Sequence, residues 1–309
     1  MQIIYKMYDI ITIGSATLDI FIKTAGEIRK HESHLDLCYH LGNKLLVSDI
    51  IFSSGGGGTN TAVAFSRLGL KTAFLGVVGA DEQGELILRE LESENVEFIG
   101  KVKREKTGMS IILPGKEDRT ILSYKGANNY LDSADVPHEI LKTKAIYIST
   151  MLGKSLHTIQ NISFLAKKKK ILIALNISEY LAKKGLKALS KLLEKTDVVI
   201  LNREEASVLT KKKKAVDALI AISNYCPGII VITDSFKPIH AYYDGNTYKK
   251  IIKKVIPIDK TGAGDAFASG FVYGFLLGKE IETCLEYGHL ESIAVMKHIG
   301  AKNNLLRSL

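Results

Sequence analysis

Strands and helices alternate along most of the chain, and this alternation predicts an α/β fold with a largely parallel central sheet covered by helices on both faces. Three features support the prediction. Short runs rich in Val and Ile are followed by helical apolar spacing, the connections are short, and polar residues stand where several strands end. In a parallel sheet such strand ends lie at one edge, where ligands bind.

The first predicted strand is Tyr8–Ile13, and Asp19 is expected in the loop after it. Residues 21–52 then mix short apolar runs with charges, which is more typical of small strands than of a long helix. Residues 107–124 alternate apolar positions around a Pro-Gly turn. We predict that these two segments supply a small β lid. Exposed strand edges of that kind often pair with a second subunit.

The length of the chain is consistent with one domain over residues 1–309, with the lid formed from about 20–53 and 107–125. The strands predicted for the body are 71–77, 145–149, 171–175, 198–201, 229–233, 239–243 and one that runs toward Val255. The predicted helices are 61–68, 82–94, 155–169, 182–193, 204–209, 215–224, 266–277, 281–287 and 290–297.

The composition argues against several classes of protein. The formal net charge is +9 and the isoelectric point is near 9.2, but much of the excess lies in short lysine runs without interleaved aromatic residues. We therefore expect anionic small-molecule substrates and no nucleic acid. No apolar stretch is long enough for a membrane span, and three widely spaced cysteines suit a reducing interior, so the expected location is the cytoplasm.

The segment Asp259–Phe267, DKTGAGDAF, leads into an apolar run that predicts a buried helix. Its small residues Gly262, Ala263 and Gly264 would leave backbone N–H groups unpaired at the positive end of the helix dipole, where a transferring phosphate can bind. Asp265, which follows them, could accept a proton from a substrate hydroxyl. The alternative is a helix cap and a tight turn without chemistry.

A second glycine-rich segment, Gly55–Gly58, precedes Asn60 and a helix with apolar spacing. Four glycines in succession cost backbone entropy, which makes sense where the backbone approaches a ligand closely. Asn60 offers both a hydrogen-bond donor and an acceptor to hydroxyl groups. A flexible linker is the alternative, although linkers are seldom followed at once by a helix and a strand.

Polar residues at three predicted strand ends are Asn176, Asn202 and Thr233. Asn202 and Glu205 form an N-x-x-E pair, which places an amide and a carboxylate close enough to hold a hydrated Mg²⁺ against phosphates. The alternative for Glu205 is a first-turn helix residue favoured by the dipole.

Together these motifs resemble the ribokinase-like (PfkB) family of carbohydrate and nucleoside kinases. GGGGTNTAVAFSRLG is similar to the first family signature, DKTGAGDAF is similar to the second, and N-x-x-E lies between them. Further similarity in GVVGADEQGE, GANNYL and the final IGA extends the resemblance over essentially the whole chain. It implies a ribokinase-like three-layer α/β/α fold with a mostly parallel central sheet and a small β lid, and a homodimer through that lid.

The resemblance also implies a role for each matching residue. Asp265 would be the catalytic base that deprotonates the acceptor hydroxyl of an ATP- and Mg²⁺-dependent kinase. The anion hole around the γ-phosphate would be formed by the amides of Gly262, Ala263 and Gly264. The residues that would hold the acceptor are Asp19, Gly56, Gly57, Asn60 and Asp265. Those that would hold the nucleotide are Asn202, Glu205, Thr233, Gly262 and Gly264. Glu205 and Asn202 would also bind Mg²⁺ through water, and Asp259 and the Thr261 carbonyl would bind a monovalent cation such as K⁺.

Several positions differ from the ribose-specific members of the family, which carry an Asn, a Lys and a Glu where this chain has Thr17, Gly57 and Met151. The loop after Thr233 lacks two glycines that the family usually has, and Lys260 replaces a Thr. We predict phosphorylation of a hydroxymethyl group of a small sugar. The alternatives are a nucleoside kinase, since an apolar side chain in the acceptor pocket would suit a base, and a non-catalytic regulator that binds a sugar or nucleotide.

Overall fold

The computed structural model describes residues 8–24, 26–32, 34–115, 119–235, 237–252 and 255–309. The strands within these ranges are β1 Tyr8–Ile13, β2 Thr17–Lys23, β3 Glu27–Lys30, β4 Leu35–Cys38, β5 Asp49–Gly55, β6 Thr72–Leu75, β7 Val77–Gly79, β8 Glu97–Phe98, β9 Lys101–Lys103, β10 Gly108–Pro114, β11 Arg119–Tyr124, β12 Thr143–Ile148, β13 Leu172–Asn176, β14 Val198–Asn202, β15 Ile229–Asp234, β16 Lys237–Tyr243 and β17 Asn246–Lys250. The α-helices are α1 Gly57–Arg67, α2 Glu82–Ser93, α3 Lys154–Lys168, α4 Glu179–Ala182, α5 Gly185–Leu193, α6 Arg203–Thr210, α7 Ala215–Ser223, α8 Ala263–Leu276 and α9 Ile281–Val295.

A nine-stranded sheet forms the centre of the molecule, with the strand order β17-β16-β15-β14-β13-β12-β1-β6-β8. The strands from β15 to β8 pair in parallel, and β16 and β17 add an antiparallel edge. Ile10, Ile11 and Ile13 of β1 are fully buried, as expected for a strand that is covered on both faces. The predicted α/β fold with a mostly parallel sheet is confirmed.

Helices cover both faces of this sheet and give three layers. On one face, Ile11 and Ile13 share a hydrophobic core with residues of α3, α5, α6 and α7. On the other face, Ile10 packs in a core with Phe65 of α1 and Phe271 of α8, to which α9 also contributes. The alternation of side chains along β1 thus joins the two cores, because successive residues of a strand point to opposite faces.

A separate four-stranded sheet has the order β11-β10-β2-β5, and we call it the lid sheet. Its strand β2 includes Asp19, which is paired with Ser110 of β10 and Ser53 of β5. The expectation that Asp19 lies in a loop is therefore wrong. Only three residues separate β1 from β2, so the chain enters the lid sheet before it reaches Asp19.

Several predicted element boundaries also differ from the structure. The helix predicted over 182–193 is two helices, α4 and α5, separated just before Gly185, whose φ is +77°. The two helices predicted over 281–297 are one helix, α9. Its Gly288 faces Phe267 so closely that an added Cβ would lie 2.7 Å from the Phe267 carbonyl oxygen, so this glycine permits packing against α8 rather than ending the helix.

Three further predicted elements need correction. The strand predicted over 71–77 is interrupted at Gly76 and continues as β7. The strand predicted to run toward Val255 ends at Lys250, and two residues of that segment, 253 and 254, lie outside the described residues. The helix expected from residue 61 begins at Gly57, inside the glycine block. No helix in the described part of the chain is long and apolar enough to cross a membrane.

Candidate active site

A cavity of about 430 Å³ lies between the carboxyl ends of the central strands and the lid sheet. It brings together most of the residues that the sequence singled out, namely Asp19, Gly56, Gly57, Asn60, Asn202, Glu205, Thr233, Thr261, Gly262, Gly264 and Asp265. Ala263 lines an adjoining cavity with Asn202 and Thr233. Asp259 lines a third cavity that also includes Lys260.

The amino end of α8 forms one wall of the cavity. Gly262 caps this helix with φ +78°, a left-handed conformation that favours glycine, and the N–H groups of Gly262 and Gly264 have no hydrogen-bond partner among the described residues. An added Cβ on Gly264 would have nothing within 4 Å, so open space lies in front of the helix end. The N–H of Ala263 instead donates to the Lys260 carbonyl oxygen at 3.2 Å. Two of the three expected anion-hole amides are therefore available to an anion.

Asp265 lies in the first turn of α8 and is joined to α1, the helix that begins within the Gly55–Gly58 segment. Its Oδ2 accepts a hydrogen bond from Asn60 Nδ2 at 2.8 Å. Burial raises the pKa of the Asp265 carboxyl, the Asn60 hydrogen bond opposes the rise, and the negative charge of Asp19 adds to it. Asn60 Oδ1 is buried and has no hydrogen-bond partner among the described residues, so it can accept one from a ligand hydroxyl.

Asp19 faces the same cavity from the lid sheet. Its side chain is buried, Oδ1 accepts a hydrogen bond from Thr17 Oγ1 at 2.9 Å, and burial raises the pKa of the carboxyl. A Cβ on Gly55 would occupy the place of the Asp19 carboxylate, and one on Gly57 would lie 3.2 Å from Asp265 Oδ1. The glycine block therefore leaves room for the two carboxylates as well as for a ligand, a structural need that its sequence alone did not reveal.

The N-x-x-E pair forms a reciprocal cap at the start of α6. Asn202 Oδ1 accepts from the Glu205 N–H at 2.9 Å, and Glu205 Oε2 accepts from the Asn202 N–H at 2.7 Å. Burial, with the negative charge of Asp265 contributing, raises the pKa of Glu205 to about 7. The other carboxylate oxygen of Glu205 has no hydrogen-bond partner in the described part of the chain. The pair is thus a helix cap whose side-chain oxygen atoms lie at the cavity wall.

Asp259 fastens the loop that precedes α8. Its Oδ1 accepts hydrogen bonds from Thr261 N at 2.9 Å and from Thr261 Oγ1 at 2.8 Å. Its Oδ2 accepts from Gly300 N at 3.0 Å, so the carboxylate ties this loop to the segment after α9. A Cβ on Gly262 would collide with Ala301 of the same segment. The turn before α8 is therefore held from behind by residues near the carboxyl terminus.

Sequence analysis missed Lys302, a buried charge beside the site. The side chain is 3% exposed, and Nζ donates to Glu90 Oε2 of α2 at 2.7 Å and to Ser54 Oγ of β5. Its positive charge acts on the carboxyls of Asp19 and Asp265 and lowers the pKa of each, against the larger effect of burial. The neighbouring Gly300-Ala301 was part of a recognised motif, but no local pattern distinguishes this lysine from the many others in the chain.

Four further cavity residues, which sequence analysis also missed, come from β11, an edge strand of the lid sheet. They alternate along β11 and the residue after it, and they are Arg119, Ile121, Ser123 and Lys125. Their period of two, in a segment already predicted to be a strand, was the available signal, because alternate residues of a strand share a face.

One group of metal-ligand side chains lies outside the cavity, on the β3–β4 hairpin. The ligand atoms of His31, His34 and Asp36 lie within 4.8 Å of one another, with His31 Nε2 3.0 Å from Asp36 Oδ2. A His-x-x-His spacing was therefore overlooked in the sequence. The side chains are largely exposed and pair with one another, and they are not connected to the cavity described above.

The chain belongs to the PfkB family of carbohydrate kinases, because the model of that family matches residues 10–307. It is therefore a carbohydrate kinase, a class that uses a nucleoside triphosphate and a divalent metal. The chain is 30% identical to a 5-dehydro-2-deoxygluconokinase of Bacillus licheniformis over 95% of its own length and 91% of that protein.

Solved structures show the same fold. A probable sugar kinase of Rhizobium etli superimposes with a TM-score of 0.82 at 24% identity, covering 96% of this chain and 95% of that one. An adenosine kinase of Sinorhizobium meliloti superimposes with a TM-score of 0.82 at 22% identity and covers 96% of both chains. The predicted family and ribokinase-like three-layer fold with a β lid are confirmed.

Proposed function

We propose that the chain transfers the γ-phosphoryl group of ATP to a hydroxymethyl group of a small sugar, with Asp265 as the base. The observation that carries the proposal is the pairing of Asp265 with Asn60 at the amino end of α8. This arrangement puts a carboxylate of raised pKa beside the N–H groups of Gly262 and Gly264 and beside an asparagine oxygen, none of which has a hydrogen-bond partner among the described residues. A proton acceptor, an anion site and a hydroxyl-binding group thus converge on one cavity.

In the proposed reaction, the acceptor hydroxyl gives its proton to an Asp265 carboxylate oxygen, and the acceptor oxygen forms a bond to the γ-phosphorus. The bond between that phosphorus and the ADP oxygen breaks, and ADP leaves. The N–H groups of Gly262 and Gly264 would donate to the phosphoryl oxygens, which carry the charge during transfer. The lid sheet would exclude water that could otherwise accept the phosphoryl group.

The residues along the nucleotide side fit Mg²⁺ and ATP. Asn202 and Glu205 present oxygen atoms, which Mg²⁺ prefers, and the unpaired oxygen of Glu205 can accept from a metal-bound water. Thr233, at the end of β15, continues the wall of the groove. Bound Mg²⁺ would neutralise charge on the phosphates. The chain itself contributes the open space in front of Gly264, which a larger residue would narrow.

The loop before α8 is also our proposed site for a monovalent cation such as K⁺. We propose the Asp259 carboxylate and the Thr261 carbonyl as its ligands, since the hydrogen bonds to Thr261 and Gly300 already fix this loop. Faster turnover in K⁺ than in tetramethylammonium would support the cation site. Equal rates would indicate that the Lys260 ammonium supplies the charge instead.

A homodimer through the outer face of the lid sheet is part of the proposal. Ile50 and Phe52 of β5 and Leu122 and Tyr124 of β11 are between 46% and 62% exposed. They point away from the cavity, and a second copy of the chain would cover them. Light scattering should give twice the monomer mass, and Phe52→Lys should halve it, whereas Leu165→Lys on α3 should not. A monomeric unmodified protein would contradict this part of the proposal.

We also propose a cytoplasmic location. Cys38, Cys226 and Cys284 are free thiols, which suits a reducing compartment, and ATP is supplied there. Fractionation that recovers the protein in a secreted or periplasmic pool would contradict this location.

The experiment that tests the function is ADP release from ATP and Mg²⁺ against pentoses, hexoses, ketodeoxy acids and nucleosides, with the product identified by mass. We expect one sugar to give a phosphate monoester. If only a nucleoside is phosphorylated, the nucleoside kinase is correct. If ligands bind but nothing is phosphorylated, the chain is a non-catalytic regulator.

The cavity lining favours a sugar over a nucleoside. Met151, which is 2% exposed, is an apolar wall residue that would suit a base. However, Tyr180 is the single aromatic residue among the described lining residues, and hydroxyl and amide side chains dominate the rest. Hydroxyl-rich acceptors match such a wall better than a planar base, which would favour stacking partners.

A further inference from the structure

The four cavity residues Arg119, Ile121, Ser123 and Lys125 form a row along β11 and the residue after it. The first and the last residue of this row are positively charged and lie at opposite ends of the cavity. Arg119 begins the row and also lines the two adjoining cavities that include Lys260, whereas Lys125 ends it and lines the main cavity. Arg119 is the first residue of β11 and Lys125 directly follows its last residue, so the length of the strand puts roughly 20 Å between their backbones. Lys125 is therefore far from the phosphate end and belongs to the part of the cavity that an acceptor would fill.

Lys125 is a partly buried ammonium that no carboxylate neutralises. Its Nζ lies 4.8 Å from the centre of the Tyr180 ring, and no carboxylate in the described ranges lies within ion-pair distance. Burial lowers the pKa of this lysine, and the more distant Asp19 opposes the decrease. Lys302, by contrast, is buried against Glu90. A desolvated charge is normally paired with an opposite charge, and Lys125 has no such anionic partner among the described residues, so a ligand could supply it.

A second group on the same wall also lacks a partner. Ser178 is two residues from Tyr180, and its Oγ is buried with no hydrogen-bond partner among the described residues. Its backbone N–H donates to Thr150 Oγ1 at 2.9 Å, which fixes the position of the residue. An ammonium and a hydroxyl on one wall, both able to donate, form a site for a small anion.

We propose that Lys125 and Ser178 bind a carboxylate of the acceptor, so that the substrate is a sugar acid rather than a neutral sugar. This inference rests on the proposed function, since it places the carboxylate at the end of the acceptor away from the hydroxymethyl group that Asp265 deprotonates. One ammonium matches the single charge of a carboxylate. A phosphate dianion would favour more donors, of the arginine type, than this wall provides.

The test uses acceptors of one chain length that differ in charge. Steady-state kinetics would compare hexonic and ketodeoxyhexonic acids with the corresponding neutral hexoses and polyols and with a hexose phosphate. The unmodified protein should prefer an acid. Lys125→Met should raise KM for that acid by about ten- to a hundredfold, the range expected for a lost hydrogen bond to a charged group, with kcat nearly unchanged. Its KM for a neutral sugar should stay within about twofold.

Two controls separate this role from a structural one. Lys187→Met, on the exposed face of α5, should change neither KM. Lys125→Gln keeps a polar side chain without the charge, so it should fold even if Lys125→Met does not, and it should show the same loss for the acid. Ser178→Ala should raise KM for the acid by a smaller factor.

The outcomes against the inference are distinct from failure of the proposed function. A preference for neutral sugars, with equal effects of Lys125→Met on acid and neutral acceptors, would overturn the carboxylate site while the kinase assignment stands. A preference for the hexose phosphate would overturn it in the same way. No turnover of any acid, neutral sugar or sugar phosphate would overturn the proposed function, and the inference with it.

Discussion

The two ends of the cavity are built in different ways. At the proposed phosphoryl end, the groups are backbone N–H donors and one carboxylate, all within a few residues of Gly262 at the start of α8. At the proposed acceptor end, the groups are side chains from β2, β10, β11 and the region after β13, far apart in sequence. The first end needs one local conformation, whereas the second needs several distant segments to meet.

We infer from this difference that one end of the cavity serves the phosphoryl transfer and that the other end determines which acceptor is used. Phosphoryl transfer makes the same demand for every acceptor, namely an anion site beside a base, and a helix start supplies both in one short segment. In our proposal, recognition of the acceptor depends on single side chains such as Lys125, which lies outside the central sheet. We therefore expect substitutions at the phosphoryl end to affect every acceptor, and those at the acceptor end to affect some acceptors only.

The largest effect among the wall residues is expected for Gly262→Ala. Alanine would be strained at φ +78° and its Cβ would collide with Ala301, which displaces the turn and its N–H donors. We expect kcat to fall by about a hundredfold or more for every acceptor, as for the loss of an anion-hole donor. Steady-state kinetics with several acceptors would measure this decrease in kcat.

Gly278→Ala is the matched control for this prediction. Gly278 has φ +69°, but a Cβ there would have nothing within 4 Å. It should cost about 1 kcal/mol of stability and leave kcat unchanged. Equal kinetic effects of the two substitutions would indicate general strain and not a role of the turn before α8.

A smaller effect, on stability, is expected for Lys302→Met. Lys302 joins the two ends, because its segment packs behind Gly262 and its ammonium contacts Glu90 and Ser54 beneath the lid sheet. We expect the free energy of unfolding to fall by about 2 kcal/mol, less than for a fully buried pair, because the Glu90 side chain is 31% exposed.

Urea unfolding would measure the loss. Lys183→Met, which removes the exposed pair with Glu179, should cost less than about 1 kcal/mol. If Lys302→Met is no more destabilising than this control, the buried pair does not link the two ends.

The smallest effect is expected for Glu205→Gln and concerns pH. The pKa of Glu205 is raised to about 7, so its carboxyl ionises between pH 6 and 8. We expect kcat/KM for MgATP to increase through this range in the unmodified protein, and to be lower and flat in the variant. Profiles measured with saturating acceptor would test this.

The same shift has a consequence for stability. The folded protein holds a proton on Glu205 up to about pH 7, whereas the unfolded chain loses it near its ordinary pKa of 4.5. The contribution of Glu205 to the free energy of unfolding therefore decreases as pH rises from about 4.5 to 7, and Glu205→Gln should lack this decrease. A variant with the same pH dependence as the unmodified protein would assign the ionisation to another group.

The sequence predicted the parts of the site that depend on local structure. The glycine turn before α8, the pair Asn202 and Glu205, and the strand ends were predicted, because each is specified by residues close together in the chain. The helix after that turn was predicted from residue 266, three residues after its observed start at Ala263. The 2.8 Å contact between Asn60 and Asp265 was not, since 205 positions separate them. Only the family resemblance predicted that these two residues belong to one site.

The other features of the site could not be predicted from the sequence, because they depend on tertiary contacts. Lys302 is one of many lysines, and only its burial against Glu90 distinguishes it. Asp19 was expected in a loop because only three residues separate β1 from β2, and the second strand forms by pairing with the distant strands β5 and β10. The position of Lys125 in the cavity became evident only from its contact with Tyr180, which lies 55 positions later in the chain.

The most direct test of Asp265 as the base is a single-turnover measurement with Asp265→Asn. The variant would be saturated with labelled ATP, Mg²⁺ and the acceptor found in the panel, and phosphoryl transfer would be followed by rapid quenching. We predict nucleotide binding close to that of the unmodified protein and a transfer rate lower by about a hundredfold to ten-thousandfold, the usual contribution of a positioned general base. Transfer at an unchanged rate in the bound complex would contradict the role of Asp265.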